Sequence, residues 1–183
     1  MDHRPNAAAN WHYAAPAVFL HWVIALLVVI QVGLGVYMMA IEEQPGSGWY
    51  FALHVSFGLT VAVLIALRIV WRLGHKPAPL PASVPGWEAT LASLGHHLLY
   101  LLLVLMPVTG YLGRSWSEDG VAWFGLPLPA WAVPSEALSE QWFGIHITIA
   151  WVLVAVVALH VAAGLKHLLI DKDGVFFRMW PRR

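Results

Sequence analysis

The chain has 183 residues, of which 60% are hydrophobic and 11% are charged, and its ten basic residues balance ten acidic ones. Soluble domains carry about 25% charged residues, so this composition excludes a soluble enzyme, a disordered tail and a nucleic-acid-binding protein, which would need a basic surplus. The absence of cysteine excludes disulfides, iron–sulfur clusters, thiolate zinc sites and covalent c-type haem.

Four long segments that contain no charged residue follow one another along the chain. Each exceeds the roughly 20 residues that a helix needs to cross about 30 Å of hydrocarbon. Their continuous hydrophobicity differs from the alternating pattern of a membrane β-barrel. We therefore predict an all-α membrane protein, a four-helix transmembrane bundle that forms a single domain over residues 1–183. The spans are expected at about 16–40, 49–71, 91–113 and 142–169.

Basic residues fall almost entirely on one side of these spans. With four spans, both termini and the second loop share a side, and nine of the ten basic residues lie there. The opposite side holds only Arg114. The positive-inside rule then predicts that both termini are cytoplasmic. The nine residues are Arg4, Arg68, Arg72, Lys76, Lys166, Lys172, Arg178, Arg182 and Arg183.

The two longer loops differ in character. The inner loop contains the proline-rich run KPAPLPASVPG at 76–86, which is typical of an extended connector. The outer segment 115–140 contains three tryptophans, and we expect it to lie along the membrane interface, where such rings settle. The outer loops also carry six acidic residues, Glu42, Glu43, Glu118, Asp119, Glu136 and Glu140.

Histidines at membrane depth are the most informative feature of the sequence. Polar side chains in membrane spans are costly and usually face the bundle interior. A single histidine of this kind is about as often a packing residue, hydrogen-bonded to a neighbouring helix, as a functional one. The positions of several histidines relative to one another are therefore more informative than any one of them. Six histidines lie within or at the ends of the spans: His21, His54, His96, His146, His160 and His167.

The depths of these histidines predict two pairs. His146 and His160 are 14 residues apart on the fourth span, so they share one face within roughly 40° and lie about 21 Å apart along the axis. They cannot share one metal ion. Depth pairs His54 with His146 at the outer side, and His21 with His160 at the inner side. Three further histidines leave the inner pair open on periodicity alone: His96, His97 and His167.

Two imidazoles on facing helices, with a flat apolar cofactor between them, describe haem b with two histidine ligands. A zinc or copper site would need three or four ligands in one place. The pattern therefore predicts two b haems. Gly35, Gly58 and Gly110 lie near the ligand faces and would leave room for a macrocycle, although small residues also let membrane helices pack closely.

Two more residues at the inner side are candidates for contact with a haem propionate or a quinone. Arg68 is 14 residues after His54; its guanidinium could pair with either group or extend to the cytoplasmic surface. His167 is seven residues after His160 and could pass protons to a quinone, or act as an interfacial anchor beside Lys166. His96 is a further candidate there.

Several sequence segments together resemble the bacterial cytochrome b561 family of small four-helix di-haem membrane cytochromes. The haem b subunits of hydrogenases and formate dehydrogenases share the same plan. The resemblance covers most of the chain. It rests on LHW at Leu20–Trp22, HVSFG at His54–Gly58, RIVWRL at Arg68–Leu73, LGHHLLYLLLVLMPVTG at Leu94–Gly110, FGLPLP at Phe124–Pro129, His146 with His160, and RMWPRR at Arg178–Arg183.

The resemblance implies that the four haem ligands are His21, His54, His146 and His160, and it argues against His96 as a ligand. It also implies a bacterial inner-membrane location and a quinone near the inner haem, with His167 at the matching position. One characterised kind of member is a superoxide:ubiquinone oxidoreductase. Superoxide is an anion and would be attracted by a positively charged outer surface, whereas the outer loops of this chain are acidic.

The sequence thus predicts a membrane-bound oxidoreductase that passes electrons from an outer-side donor, with superoxide the favoured one, through two b haems to ubiquinone. The alternative is a membrane-anchor subunit that carries electrons between a partner dehydrogenase or hydrogenase and the quinone pool. The expected partners are the lipid bilayer, the quinone, the outer donor, and a second copy or a redox subunit, with no nucleic acid. A haem-free metal or solute carrier that uses the histidine stripe is the remaining rival.

Overall fold

A computed structural model describes residues 11–76, 79–81 and 83–181. Its four long helices are α1 (Ala15–Ala40), α2 (Gly48–Gly74), α3 (Gly86–Trp116) and α4 (Glu136–Lys166). A π-helical turn, His167–Asp171, continues α4, and a 3₁₀ helix follows at Phe176–Met179. In each of the four helices, a stretch of 18 residues is strongly apolar, with mean hydropathies of 2.4, 2.1, 1.8 and 2.3 in chain order. The prediction of an all-α protein with four membrane-spanning helices is confirmed.

The helices are longer than the predicted spans. α3 begins at Gly86 instead of 91, and α4 begins at Glu136 instead of 142. The predicted spans were placed within the segments that lack charged residues. Outside the hydrocarbon, however, a helix can continue through charged residues. Glu88 and Glu136 lie in first turns, where the helix dipole favours acidic groups, and Arg114 lies in the last turn of α3, where it favours basic ones.

The helices pack in chain order. α1 packs on α2, α2 on α3 and α3 on α4, whereas α1 and α4 make hardly any close backbone contact among the described residues. A small core forms around Ile24, Val61 and Ile65. Many other large apolar side chains are exposed, such as Leu159 at 70%. Hydrophobic surface on this scale is what a lipid-facing bundle requires.

The segment just before α1 and the segment that follows α4 meet at one end of the bundle, which we call the inner end; the opposite end is the outer end. The Tyr13 N–H donates to the Arg178 carbonyl at 3.2 Å, and the Arg178 Nε donates to the Trp11 carbonyl at 3.1 Å. The indole of Trp22, next to His21, donates to the Met179 carbonyl at 2.7 Å. These contacts fasten the C-terminal segment against the start of α1.

The outer segment folds back onto α2 through a short hairpin. Strand β1 (Ala122–Trp123) pairs antiparallel with β2 (Leu126–Pro127). At the turn, the Phe124 N–H donates to the Ser56 hydroxyl at 2.9 Å. Because Ser56 lies eight residues into α2, the tip is about 12 Å along that helix. Part of this segment therefore packs against a helix side, and the expected position along the interface remains a prediction.

Some sequence predictions concern residues outside the described part of the chain. Within the proline-rich connector, positions 77, 78 and 82 are outside it. Three of the basic residues used to predict the orientation, Arg4, Arg182 and Arg183, also lie outside the described residues. The last two are the end of the RMWPRR segment.

Candidate haem and quinone sites

The outer histidine pair joins α2 to α4. The ring centres of His54 and His146 are 6.1 Å apart, and their planes cross at 83°. Both side chains are only partly exposed. The predicted pairing of these two residues by depth therefore corresponds to a close approach of their rings.

His146 is held by α3. Its Nδ1 is 3.0 Å from the Met106 carbonyl and 3.1 Å from the Thr109 hydroxyl. Since Nδ1 has a carbonyl acceptor, the other ring nitrogen, Nε2, is free to bind a metal, an arrangement typical of metal-ligating histidines.

Two glycines make room for the outer rings. A Cβ atom at Gly110 would lie 3.0 Å from Cε1 of His146, and one at Gly35 would lie 3.5 Å from Cε1 of His54. These glycines were expected to leave space for a macrocycle, and in the structure they lie directly against the imidazoles. Gly58 differs, because its Cβ would meet Gln31 and no histidine ring.

The inner end brings three histidines together. The ring centre of His160 is 6.2 Å from that of His21, with planes at 76°, and 5.5 Å from that of His96, with planes at 72°. Both His21 on α1 and His96 on α3 therefore remain possible partners of His160, as the sequence left open. His97 points elsewhere: it is exposed and contacts the Ser93 carbonyl of its own helix.

Arg68 lies within the bundle at this inner level. Its guanidinium donates to the Ala17 carbonyl at 2.7 Å and to the Tyr100 hydroxyl at 3.1 Å. The guanidinium lies near His21 and His160. The side chain thus ties α2 to α1 and α3 and places a positive charge beside the inner histidines.

The two histidine pairs fit the requirements of a haem. Two metal–nitrogen bonds of about 2 Å each, with the distance from each nitrogen to its ring centre added, give a ring separation of about 6 Å. The separations of 6.1 and 6.2 Å match this value. In both pairs one ring comes from α4 and the other from α1 or α2, helices that do not pack closely on α4. A flat apolar group between facing helices suits this arrangement.

His167 opens the π-helical turn that ends α4. Such turns often occur at functional sites because they redirect side chains. The chain then reverses through Lys172, with φ of 51°, and Gly174, with φ of 83°. This reversal brings Asp173 back to His167, whose Nδ1 lies 2.8 Å from Asp173 Oδ2 and 3.3 Å from the Asp171 carboxylate.

Asp173 is ionised at neutral pH. Partial burial would raise the pKa of Asp173, but the Val175 N–H and His167 stabilise the carboxylate and hold its pKa below the ordinary value. The Val175 N–H donates to Oδ1 at 3.0 Å, so the second oxygen remains aligned on the imidazole. His167 is therefore fixed in orientation by a charged acceptor.

Carboxylates beside His167 also resemble a metal site, since ligand atoms of Glu88, His167 and Asp171 lie within 4.8 Å of one another. However, the ammonium of Lys166 lies between the carboxylates, 3.0 Å from Glu88 and 2.7 Å from Asp171. This ammonium already supplies the positive charge that the carboxylates need. The cluster is therefore an ion-pair network that joins α3 to α4.

The outer end has little positive charge. The Arg114 guanidinium donates to Asp119 Oδ2 at 2.8 Å and to the Gly120 carbonyl at 2.9 Å. The single basic residue that the sequence places on this side is therefore neutralised by an acidic neighbour. The surface offers little attraction to an anionic electron donor.

Sequence reasoning missed several residues around these sites. Gln31 was not considered, although an isolated amide in a charge-free span is itself a signal. Asp173 was also missed; its position before a glycine is a turn signal, and such a turn brings it back to His167. The ion pair between Lys166 and Glu88 could not be found from sequence, because Glu88 lies 78 residues away.

Comparisons with known proteins agree with this architecture. The chain is 31% identical to cytochrome b561 homolog 2 of Escherichia coli (strain K12) over 172 residues, which cover 91% of this chain and 90% of the relative. It is 27% identical to the probable superoxide oxidase CybB of Yersinia pestis, with 93% of this chain and 97% of the relative covered. It is 28% identical to cytochrome b561 homolog 1 of Escherichia coli (strain K12), with coverages of 93% and 98%.

Residues 12–182 match the family described as prokaryotic cytochrome b561. That match extends from just before α1 to the last residues of the chain, and so includes both histidine pairs. The four apolar spans, the paired histidines and this match lead to one conclusion. The chain belongs to the prokaryotic cytochrome b561 family, whose members bind haem b and transfer electrons in the bacterial inner membrane.

Proposed function

We propose that this protein holds two b haems, one at each end of the bundle, and passes electrons between them across the membrane. His54 and His146 would ligate the outer haem, and His21 and His160 the inner one. The observation that carries this proposal is the repetition of one geometry, with ring separations of 6.1 and 6.2 Å and nearly perpendicular planes. When bound, the haem iron supplies one-electron chemistry.

His21 is preferred over His96 as the inner partner of His160. The His21 separation of 6.2 Å matches the outer pair, whereas the His96 separation of 5.5 Å is shorter than two metal bonds require. His21 also lies on α1, which does not pack closely on α4, whereas α3 packs extensively on α4. His96 is left as a neighbour of the inner site.

The proposal assigns both an orientation in the membrane and a direction of electron transfer. Both termini face the cytoplasm, as the basic residues predict, so the inner end lies at the cytoplasmic surface. Electrons enter at the outer end, and ubiquinone is reduced at the inner end. Each quinone takes two electrons and two protons. If superoxide is the donor, two superoxide anions each lose one electron and become dioxygen.

His167 serves the proton side of this reaction. Its ring is held by Asp173 at 2.8 Å, and it lies seven residues, about 10 Å, beyond His160 along α4. An imidazole can give a proton to a reduced quinone oxygen and regain one from the cytoplasm. Arg68 offers a positive charge for a haem propionate or a quinone oxygen at the same level.

Superoxide is our first choice of donor, supported by the likeness to a relative named as a probable superoxide oxidase. A second function is supported by a specific observation. Because Arg114 is paired with Asp119 and the outer loops are acidic, a protein donor with a basic face would suit this surface better than a small anion. The chain would then be the membrane anchor of a larger redox complex.

Purified protein in detergent separates the two functions. Superoxide is generated in solution, and reduction of a short-chain ubiquinone analogue is followed optically, with heat-denatured protein as the control. We expect reduction by the isolated chain at two superoxide per quinone. Haem reduction without quinone turnover, together with co-purification of a large soluble subunit from the native membrane, would support the anchor function instead.

A further inference from the structure

Gln31 is a polar residue in the middle of α1, ten residues after His21 and four before Gly35. An amide at this depth is costly unless both its ends have hydrogen-bond partners. Its Nε2 donates to the main-chain carbonyl of His54 at 3.0 Å. Its Oε1 is buried and has no partner among the described residues.

Gly58 provides the space for this contact. A Cβ atom at position 58 would lie 3.0 Å from Nε2 of Gln31, so close that the amide would have to move by a few tenths of an ångström. Gly58 is one helical turn after His54, so the missing side chain lets Gln31 lie against α2 directly beside the His54 carbonyl. The three residues form one contact between α1 and α2.

His54 carries the other buried side-chain atom without a partner among the described residues, its Nδ1. A histidine that binds a metal normally donates its second ring N–H to an acceptor, which fixes the ring and makes it more basic. His146 has such an acceptor in the Met106 carbonyl. No such acceptor lies within hydrogen-bond distance of the His54 Nδ1 among the described residues, although the main chain of Gln31 is near the ring. The side chain of Gln31, which already donates to the main chain of His54, has an unused acceptor oxygen.

We propose that Gln31 is a positioning residue for His54, and that its Oε1 accepts the hydrogen bond from the Nδ1–H of His54 when the outer haem is bound. The inference rests on the proposed function, because it requires His54 to bind iron through Nε2. A hydrogen-bonded imidazole donates more electron density and stabilises the oxidised iron. Gln31 therefore lowers the reduction potential of the outer haem.

Redox titration of purified holoprotein, followed in the visible spectrum and by electron paramagnetic resonance, tests this role. In Gln31→Met, which keeps the chain length and removes the amide, we expect two haems and a rise in the potential of only one of them. A tenfold shift in the reduction equilibrium corresponds to about 59 mV for one electron. One of the two low-spin resonance signals should also change.

Three further variants sharpen the test. Gln31→Glu keeps an acceptor oxygen, so its outer potential should stay at or below that of the wild type. Gly58→Ala should displace the amide and raise the same potential, with no further effect in the Gln31→Met background. Val29→Ala is the control, because Val29 lies on α1 and is 67% exposed; both potentials should be unchanged.

If Gln31→Met retains both haems and neither potential nor resonance signal moves, the inference is overturned. If that variant loses haem or fails to fold, Gly58→Ala decides, and an unchanged outer potential there also overturns it. Wild-type protein with fewer than two haems would instead contradict the proposed function, so the two failures are distinguishable.

Discussion

The imidazole of His54 on α2 faces the imidazole of His146 on α4 with ring centres 6.1 Å apart and planes crossing at 83°. The same relation recurs between His21 and His160 at the inner end, with 6.2 Å and 76°. One partner of each pair lies on α4, so the 14-residue spacing along this helix sets the separation of the two levels at about 21 Å.

Loss of one ligand should remove one haem. We expect His54→Ala to eliminate the outer haem and His21→Ala the inner one, because each pair lies at a separate level of the bundle. Haem content per chain, measured as the pyridine haemochrome, should fall from about two to about one in either variant. Retention of both haems in both variants would show that the pairing is wrong.

The inner pair is tested by exchanging its alternatives. We expect His96→Ala to keep both haems, in contrast to His21→Ala, because the His96 ring is only 5.5 Å from that of His160. The visible spectrum and the number of one-electron steps in a redox titration report the outcome. If His96→Ala loses a haem while His21→Ala keeps two, His96 is the ligand.

Gly110 should be intolerant of a side chain. A Cβ atom there would lie 3.0 Å from the His146 ring, and the branched side chain of Gly110→Val would push that ligand out of position. We expect loss of the outer haem, measured as haem per chain. Gly33→Val on α1 is the matched control, since a Cβ atom at Gly33 has nothing within 4 Å. Equal haem content in the two variants would contradict the assigned role of Gly110.

Proton supply to the quinone should depend on His167. We expect His167→Gln to keep both haems and to slow quinone reduction by on the order of 100-fold, a typical contribution of general acid–base catalysis. Asp173→Asn, which weakens the hold on the ring, should cause a smaller loss. Glu118→Gln in the outer segment serves as the control. An unchanged rate in His167→Gln would remove this residue from the reaction.

Acid should release the contact between Asp173 and His167. Because the pKa of Asp173 is lowered in the folded protein, its contribution to stability is fully present above the ordinary aspartate value of about 3.9. It is lost as the pH falls through the lowered value. Thermal unfolding of wild type and Asp173→Asn should therefore differ at pH 7 and converge at strongly acidic pH. A difference that persists unchanged in acid would contradict this assignment.

Much of the fold could be predicted because membrane spans leave a clear record in composition. The charge-free segments located all four helices, and the depths of His54 and His146 in the membrane alone predicted that these two residues form a pair. The exact ends could not be predicted, since α3 and α4 continue beyond the hydrocarbon into turns that contain Glu88 and Glu136. Helical periodicity gives face and depth but not distance, so it could not choose between His21 and His96.

The surroundings of the histidines were harder to predict. The hairpin at Phe124 depends on a hydrogen bond to Ser56, 68 residues away, which no local pattern indicates. The orientation of His167 depends on a π-helical turn and on the reversal at Gly174. The contact between Gln31 and His54 could not be predicted, because it depends on the packing of α1 on α2 and on the space that Gly58 leaves between them.

The central claim is that the bundle binds haem at two levels, and counting haem in the purified wild-type chain tests it most directly. Protein expressed with ample haem supply should give about two b haems per chain by the pyridine haemochrome method, and two one-electron steps in a redox titration. A colourless protein, or a single haem with a single step, would contradict the claim.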